Sequence, residues 1–333
     1  MPSSTRSQHL FRVIWIACFL FIISGLSALG QSSTAWKIIT INNRQYVSDQ
    51  NLAQFYKMEK LGKNGLERIF YHPALVMKWK IHSKEMFVND IKFNLSFPIA
   101  QKGDNALLSV VDLAKLIDPV IRPSYIKKPI LFDTVVIDPG HGGHDSGARG
   151  RSGMDEADYN LDVSRRLQAA LAKRGFKTVM TRSSDVFISL NQRVAIANAQ
   201  KKAIFISIHH NSGAKSARGV ETFVLAPQGT SSTHSSSTVS QALNGNTRDA
   251  ENIALATAVH AHIIHELKPT DRGLKRARFN VLTGINKPAI LYEGGFLTNW
   301  AEGTKIHDPN YRQQTADAIA LAIEKFRLAV NKR

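Results

Sequence analysis

Cysteine is almost absent from this chain: among its 333 residues the only one is Cys18. It lies in an N-terminal segment that we expect to be removed, so the remaining chain has no thiol. This excludes disulfide bridges and thiolate metal ligands from the folded protein. Any metal site must therefore be built from histidines and carboxylates.

Negative charge is also scarce. Lys and Arg number 43 against 26 Asp and Glu, which leaves a formal net charge of +17. Such an excess favours an anionic partner, and for an exported protein that partner is an acidic envelope polymer or a membrane surface. The sequence has no basic–aromatic motif of the kind that binds nucleic acid, so we expect no nucleic-acid partner.

The first thirty residues have the composition of a secretory signal. Arg6 and Arg12 precede an apolar run at 13–26, and small residues follow at 27–30. This order of basic, apolar and small residues predicts cleavage before Gln31. The alternative is a retained membrane anchor, for which the apolar run is short. We therefore expect export to the periplasm or the cell envelope.

Residues 31–122 are predicted to form a small α+β domain of a stalk-like or positioning type. Two similar segments each combine a strand with a serine that can cap a short helix, Ser48 in the first and Ser109 in the second. This repeated unit resembles the stalk-like domain found at the N-terminus of copper amine oxidases. Prolines and lysines at 123–131 mark a linker to a second domain.

Strands and helices alternate between residues 132 and 330. The predicted strands are 134–138, 176–181, 203–208, 220–225, 279–282 and 288–292. The predicted helices are 158–174, one from a Ser189–Gln192 capping box through Asn198, 249–267 and 311–328. Residues 227–246 are rich in Ser, Thr, Gly and Asn and predict a long mobile loop. The fold class expected is α/β, with a mostly parallel central sheet flanked by helices after the small α+β domain.

Two histidines and a glutamate adjoin predicted strands or the helix that follows one. His141 lies in a Pro-Gly-His-Gly-Gly turn, Glu156 lies just before the first helix of the second domain, and His209 directly follows the strand at 203–208. Side chains at the carboxyl ends of parallel strands meet in one crevice of an open α/β sheet. Each histidine alone is more simply a structural residue. Together the three suit one Zn²⁺ ion that keeps its fourth position for water.

Glu293 is the leading candidate for a general base. It is predicted on the turn after the strand at 288–292, where it would face the same crevice. A carboxylate there can take a proton from water and pass it to a leaving nitrogen; the alternatives are a helix cap or a salt bridge. Asp138 is either a partner of a ligand or a turn residue. His262 and His265 lack the spacing of a zincin motif and are expected to be solvated.

Several short motifs occur in a fixed order along residues 132–328. They are Ile137-Asp-Pro-Gly-His-Gly-Gly, Glu156 with Asp158-Tyr-Asn-Leu, Thr181-Arg182, Asn191-Gln-Arg193, Ser207-Ile-His-His-Asn211, Arg218-Gly-Val-Glu221, Asp271-Arg-Gly-Leu274 and Glu293-Gly-Gly-Phe296. This ordered set resembles the zinc-dependent N-acetylmuramoyl-L-alanine amidases that cleave peptidoglycan. The resemblance implies that His141, Glu156 and His209 bind one Zn²⁺ ion and that Glu293 is catalytic. It also implies hydrolysis of the amide between the lactyl group of N-acetylmuramic acid and the L-alanine of the stem peptide, in cell-wall remodelling or daughter-cell separation.

The residues after His209 and the partners are further predictions. His210, where relatives usually have a small residue, and Asn211 are predicted to contact substrate. Besides peptidoglycan, an envelope activator is predicted to dock through the N-terminal domain or the loop 227–246. Two alternatives stay open, a catalytically inactive wall-binding scaffold and a zinc carboxypeptidase acting on the stem peptide. A scaffold has no use for the general base Glu293, and the new amino terminus in the product distinguishes the two enzymes.

Overall fold

A computed structural model describes residues 35–150 and 153–331. The predicted signal segment and Cys18 lie outside these residues. The strands are β1 (Ile38–Ile41), β2 (Arg44–Ser48), β3 (Lys60–Asn64), β4 (Glu67–His72), β5 (Leu75–Lys80), β6 (Glu85–Val88), β7 (Ile91–Asn94), β8 (Ala100–Lys102), β9 (Asn105–Ser109), β10 (Thr134–Pro139), β11 (Lys177–Met180), β12 (Ala203–Asn211), β13 (Val220–Leu225), β14 (Asp271–Ala277) and β15 (Ala289–Phe296). The helices are α1 (Asp49–Phe55), α2 (110–121), α3 (Glu156–Ala172), α4 (Leu190–Ala199), α5 (Asp249–Leu267), α6 (Asn280–Gly284), α7 (Trp300–His307) and α8 (Pro309–Asn331). None of the helices in the described ranges is long and apolar enough to cross a membrane.

The main sheet has eleven strands in the order β11-β10-β12-β15-β13-β14-β7-β6-β5-β4-β3. Strands β11, β10, β12 and β15 run parallel to one another. Strand β13 runs antiparallel to β15 and parallel to β14. The C-terminal part of the chain therefore has the predicted α/β architecture, with a parallel centre and a reversal at β13.

Both faces of the parallel strands are buried, which explains why their sequences are continuously apolar. Ile206 on β12 faces a core that includes Leu167 of α3 and Ile319 of α8. Its neighbour Phe205 faces the other side, where the core includes Leu282 of α6. These two layers hold the strand ends rigidly, which is what a site at those ends requires.

The N-terminal part forms a four-stranded sheet, β1-β2-β9-β8, and an antiparallel meander, β3 to β7. Ser48 and Ser109 cap α1 and α2 as predicted, because each hydroxyl oxygen accepts a hydrogen bond from the backbone of Asn51 or Asp112, at 3.2 and 3.0 Å. The meander continues the main sheet, since β7 pairs with β14 in parallel. The two predicted domains thus share one sheet, and the boundaries at 122–123 and 131–132 stay a prediction.

Buried polar contacts also join the two parts. The guanidinium of Arg276 donates to Asp112 at 2.8 Å, and both side chains are almost fully buried. The side chain of Asn94 donates to the backbone oxygen of Leu274 at 3.0 Å. The N-terminal region is therefore packed against the α/β part as closely as an element of the same core.

One predicted strand is wrong. Residues 279–282 begin the short helix α6, and the strand before it is β14, which we did not predict. Its sequence, Asp-Arg-Gly-Leu-Lys-Arg-Ala, looks exposed because it is charged. In the fold Lys275 and Arg276 are buried and paired with Glu221 and Asp112, so distant partners make this charged segment a core strand.

The loop 227–246 contains no strand or α-helix, as predicted, and it ends in a 3-10 turn at Asn244–Arg248. It is anchored along the part of β14 that does not pair with β7. The backbone N–H of Thr233 donates to the carbonyl oxygen of Arg276 at 2.8 Å, and the Arg276 N–H donates to the Thr233 hydroxyl at 2.8 Å. The loop therefore takes the place of a strand beside the second half of β14.

Candidate active site

The three predicted metal ligands and Glu293 meet at one end of the parallel strands. His141 follows β10, and His209 and Glu293 are register partners on the neighbouring strands β12 and β15. Two local predictions were wrong in detail. Glu156 is the first residue of α3, not a residue before it, and both His209 and Glu293 lie inside their strands because the β12–β15 pairing continues to Asn211.

Glu156 lies between the two histidines. Its Oε1 atom is 3.3 Å from Nε2 of His141 and 2.9 Å from Nδ1 of His209. One ligand atom from each residue lies within 4.8 Å of the others. Nδ1 of His141 is 2.9 Å from a carboxylate oxygen of Asp145, a contact that fixes the ring with its Nε2 atom toward the site. Two atoms bound to one Zn²⁺ ion in tetrahedral geometry are about 3.3 Å apart, so the donor set fits that ion.

The carboxylate of Glu156 is held in its ionised form. Burial alone would raise the pKa of Glu156, but hydrogen bonds and charges from His141 and His209 hold it well below its usual range. Its second oxygen accepts from the backbone of Ala148 at 3.0 Å. Burial would lower the pKa of His141, yet its hydrogen bonds to Glu156 and Asp145 raise it. The ionised carboxylate of Glu156 therefore favours a positive charge in the site. A bound dication would supply that charge.

Two buried arginines hold the loop that carries His141. The backbone of His141 is left-handed, with φ of 60°. Its carbonyl oxygen accepts a hydrogen bond from Arg193 at 2.8 Å, and the carbonyl of Gly140 accepts one from Arg182 at 2.9 Å. A Cβ atom at Gly140 would lie 2.3 Å from Nε2 of His209. Only glycine therefore allows the His209 ring to reach its place.

Asp138 acts on this loop through Arg193. It is buried inside β10 and accepts from Arg193 at 2.7 Å, from the Thr181 hydroxyl at 2.6 Å and from the Ser207 hydroxyl at 2.7 Å. Its role lies between the two alternatives that we predicted, since it orients the residue that orients a ligand. Asp138 is therefore neither a simple turn residue nor a direct partner of a ligand.

The histidines on α5 take no part in the site. Within the described ranges the only cluster of three or more potential metal ligands is His141, Glu156 and His209. His265 is exposed, as predicted, whereas His262 is half-buried with Nδ1 2.9 Å from the Ala258 carbonyl oxygen.

Glu293 has a different environment from Glu156. Its Oε2 atom is buried without a hydrogen-bond partner among the described residues. Burial, followed by the nearby charges of Glu156 and Glu221, raises the pKa of Glu293 well above its usual range. A carboxyl group with such a pKa, beside a candidate metal site, is suited to carry a proton during catalysis.

Glu221 lies directly opposite Glu293 on β13. Lys275 donates to its Oε1 at 2.7 Å, Arg272 donates to the same oxygen, and the amide of Asn211 is 3.4 Å from its Oε2. Burial would raise the pKa of Glu221, but these cationic partners lower it. Asn211 thus contacts an ionised carboxylate at the edge of the site, and its predicted contact with substrate stays a prediction.

His210 faces away from this crevice. Only 4% of its surface is exposed, and its Nδ1 is 2.8 Å from the side-chain oxygen of Asn160 on α3. Burial lowers the pKa of His210 to about 4, so the ring is neutral at pH 7. The structure does not support the predicted contact of the His210 side chain with substrate. Its backbone N–H donates to Glu156 at 3.2 Å instead.

Four contributors to the site were not singled out from the sequence, and one of them, Asp145, lies outside the quoted motifs. Arg182, Arg193 and Glu221 belong to the quoted motifs, but the motifs alone gave them no role. The available signal was their position: each lies in or near an apolar segment where a charged side chain needs a buried partner.

Comparisons with known proteins agree with this geometry. A family profile described as N-acetylmuramoyl-L-alanine amidase (Amidase_3) matches residues 135–325. The uncharacterized protein YqiI of Bacillus subtilis is 36% identical over 220 residues, which are 66% of this chain and 95% of YqiI. The amidase LytC of the same organism is 34% identical over 195 residues, covering 58% of this chain and 35% of LytC.

A solved structure gives the same assignment. The catalytic domain of CwlV, an N-acetylmuramoyl-L-alanine amidase from Bacillus (Paenibacillus) polymyxa var. colistinus, is 31% identical with a TM-score of 0.50. The match covers 59% of this chain and 98% of that domain. These comparisons confirm the predicted fold class and the predicted amidase activity on peptidoglycan. With more than half of its length matched, the chain belongs to the N-acetylmuramoyl-L-alanine amidase family.

Proposed function

We propose that this amidase is zinc-dependent, with His141, Glu156 and His209 as the metal ligands and Glu293 as the proton-transfer residue. The observation that carries the proposal is the approach of three suitable donor atoms to within 4.8 Å, with Glu293 opposite His209 on the next strand. A bound Zn²⁺ ion would supply Lewis acidity that polarises a carbonyl group and acidifies water.

The protein's own residues divide the remaining work. Glu293 takes a proton from the attacking water and delivers it to the amide nitrogen as the carbon–nitrogen bond breaks. The products are a free lactyl carboxylate on N-acetylmuramic acid and a free α-amino group on L-alanine. Asp145 fixes the His141 ring, and Arg182 and Arg193 hold its loop, so the ligand set is formed before substrate arrives.

The cellular setting is part of the proposal. The N-terminal sequence supports export to the periplasm or cell envelope, and the relatives include a Bacillus anthracis protein named as a cell wall amidase. Peptidoglycan remodelling or daughter-cell separation is the role that fits this location. Docking of an activator on the N-terminal region or on the loop 227–246 stays a prediction.

The direct test is digestion of purified peptidoglycan with the secreted form of the chain, with and without a chelator. Mass spectrometry should detect free stem peptides that begin with L-alanine, and the chelator should abolish them. Readdition of Zn²⁺ should restore the products. Peptides shortened at the carboxyl end would identify a carboxypeptidase, and intact sacculi under all conditions would identify a scaffold.

A further inference from the structure

The face of the main sheet that carries the active-site residues does not end at the α/β part. Register partners on neighbouring strands point to the same face of a sheet. Glu293 and Glu221 are such partners, and two residues along β13 Phe223 is the partner of Lys275 on β14. The side chains of Glu293, Glu221, Phe223 and Lys275 therefore share one face, at the edge where the N-terminal meander begins.

The same face continues across the meander. Gly273 of β14, on the face of Lys275, packs against Lys92 of β7, because a Cβ atom at Gly273 would lie 3.0 Å from the Lys92 side chain. Lys92 is the register partner of Phe87 on β6. Phe87 is in turn the partner of Lys78 on β5, and Lys78 is the partner of Ile69 on β4.

This face of the meander is open to solvent, whereas the reverse face is core. Tyr71 and Ile69 of β4 are 45% and 39% exposed. Between them in sequence, Phe70 is fully buried. The exposed strip therefore combines apolar and aromatic groups with lysines. Exposed apolar groups that lie side by side on the outer face of a sheet require an explanation.

We propose that this strip, which we call the track and define as Ile69, Tyr71, Lys78, Phe87 and Lys92, binds a peptidoglycan strand whose neighbouring stem peptide lies in the active site. The proposal rests on the proposed function. Six strand spacings separate Glu293 from Ile69, which is about 29 Å at roughly 4.8 Å per strand. A polymeric substrate can span that length, and a single disaccharide peptide cannot occupy both ends.

The chemistry of the track suits a glycopeptide polymer. Aromatic rings such as Tyr71 and Phe87 give rigid apolar contact area at little entropic cost, with a polar group at the tyrosine tip. Lysine stems cover apolar surface while their ammonium groups stay in water, where they can meet peptide carboxylates. Phe223 and Lys275 are buried between the crevice and the track, so a polymer that reaches both must cross the end of β14 near Arg272, whose side chain is 34% exposed. The shared sheet face favours the enzyme's own substrate over a protein partner as the occupant.

The track is not a simple basic patch. Lys78 is 3.0 Å from Asp90, and Lys92 pairs with Glu85, so part of the positive charge is already neutralised. Apolar and aromatic contact should therefore carry much of the binding. Retention through the track should persist at high salt, in contrast to retention that depends on the net charge of the whole protein.

The test compares polymeric and short substrates with the full chain. A triple variant, Ile69→Thr/Tyr71→Thr/Phe87→Thr, removes the apolar and aromatic side chains and replaces them with threonine, which suits strands. We expect the KM for sacculi to rise about tenfold, with kcat/KM on a soluble disaccharide peptide unchanged. The matched control is Leu131→Thr/Leu328→Gln, which removes exposed apolar side chains elsewhere and should behave as wild type on both substrates.

Binding separates this proposal from the proposed function. In a Glu293→Gln background, which leaves sacculi undigested, the track variant should co-sediment with sacculi less than the control at 0.5 M salt. Equal co-sedimentation would overturn the track, whatever the enzyme does. A wild-type chain that binds through the track and releases no L-alanine peptides would overturn only the proposed function.

If the triple variant has a lowered melting temperature, the single variants Tyr71→Thr and Lys78→Gln decide, and an unchanged KM for sacculi in both contradicts the proposal.

Discussion

Glu221 and Glu293 lie opposite each other on adjacent antiparallel strands, yet only Glu221 has cationic partners. Lys275 and Arg272 keep Glu221 ionised, and that negative charge adds to the burial that raises the pKa of Glu293. Two neighbouring carboxyl groups with pKa values pushed apart have separable roles. We therefore expect the paired Glu221 to orient its neighbours and the unpaired Glu293 to exchange protons.

His141→Ala and His209→Ala should each remove bound zinc and activity together, because a three-residue ligand set cannot spare a member. Metal content by mass spectrometry and turnover on sacculi measure the two losses. The melting temperature should also fall relative to the zinc-loaded wild type, since ligand binding stabilises the folded state. Full zinc occupancy in either variant would contradict the ligand assignment.

Glu293→Gln should keep zinc and lose turnover by roughly 10²–10⁴-fold, the usual range for a lost general acid–base. Gln keeps the shape and removes the titrating proton. The matched control is Glu221→Gln, which should retain more activity because the changed carboxylate only orients its neighbours. Near-normal turnover in Glu293→Gln would assign proton transfer to another residue.

Arg193→Lys should lower activity by up to about 100-fold through displacement of the His141 loop. Lysine keeps the charge but cannot donate at once to Asp138 and to the carbonyl oxygen of His141, as the guanidinium does. Zinc affinity should fall in parallel, and it can be measured by competition with a chelating dye. Arg165→Lys, at an exposed position where the side chain donates to the Ser183 carbonyl, should match wild type; equal losses in both variants would argue against the loop-holding role.

His210 should make the folded state sensitive to acid. Its pKa is about 4 in the fold and about 6.5 in an unfolded chain. Between these values the unfolded state binds the extra proton, so the free energy of unfolding falls as the pH drops from 6.5 to 4, by roughly 3 kcal/mol. Urea unfolding of His210→Asn should show a shallower decline over this range, whereas exposed His82→Asn should keep the wild-type slope. An unchanged slope in His210→Asn would show that other groups dominate.

A chain that starts at Pro129 should keep every proposed catalytic residue and lose stability. Deletion removes β7, which pairs with β14, and α2, so core residues such as Leu274 that pack against them become exposed to water. Urea unfolding and turnover on a soluble disaccharide peptide measure the two effects. A truncated chain as stable as the full one would mean that the shared sheet contributes little.

The positions of the ligands could be predicted because they depend on local sequence and one topological rule. Apolar runs rich in β-branched residues gave β10, β12 and β15, and parallel strands bring their carboxyl ends together. The capping box of α4 was also local: the Ser189 N–H donates to Gln192 at 2.9 Å, and the Gln192 N–H donates to Ser189 at 3.3 Å.

Two kinds of sequence-based prediction were wrong: those for residues whose partners are distant in the chain, and those for residues just beyond a strand that we ended too early. Strand β14 was missed because Arg276 becomes a core residue through Ser96 and Asp112, 180 and 164 positions away. The orientation of His210 was predictable in principle. Successive residues of a strand face opposite sides, so extending β12 by a few residues would have turned His210 away from His209.

The ladder between β7 and β14 has a consequence for how the protein folds. It joins residues 180 positions apart, as the Asn94–Leu274 hydrogen bond shows. Pairings of such high sequence separation form slowly, because the intervening chain must be ordered first. The meander lies wholly within residues 60–94, so it can form with an open edge at β7 before β14 pairs with it, and that edge is open to pairing with another chain. The rate at which β14 arrives, relative to the concentration of neighbouring chains, decides between a working enzyme and an aggregate.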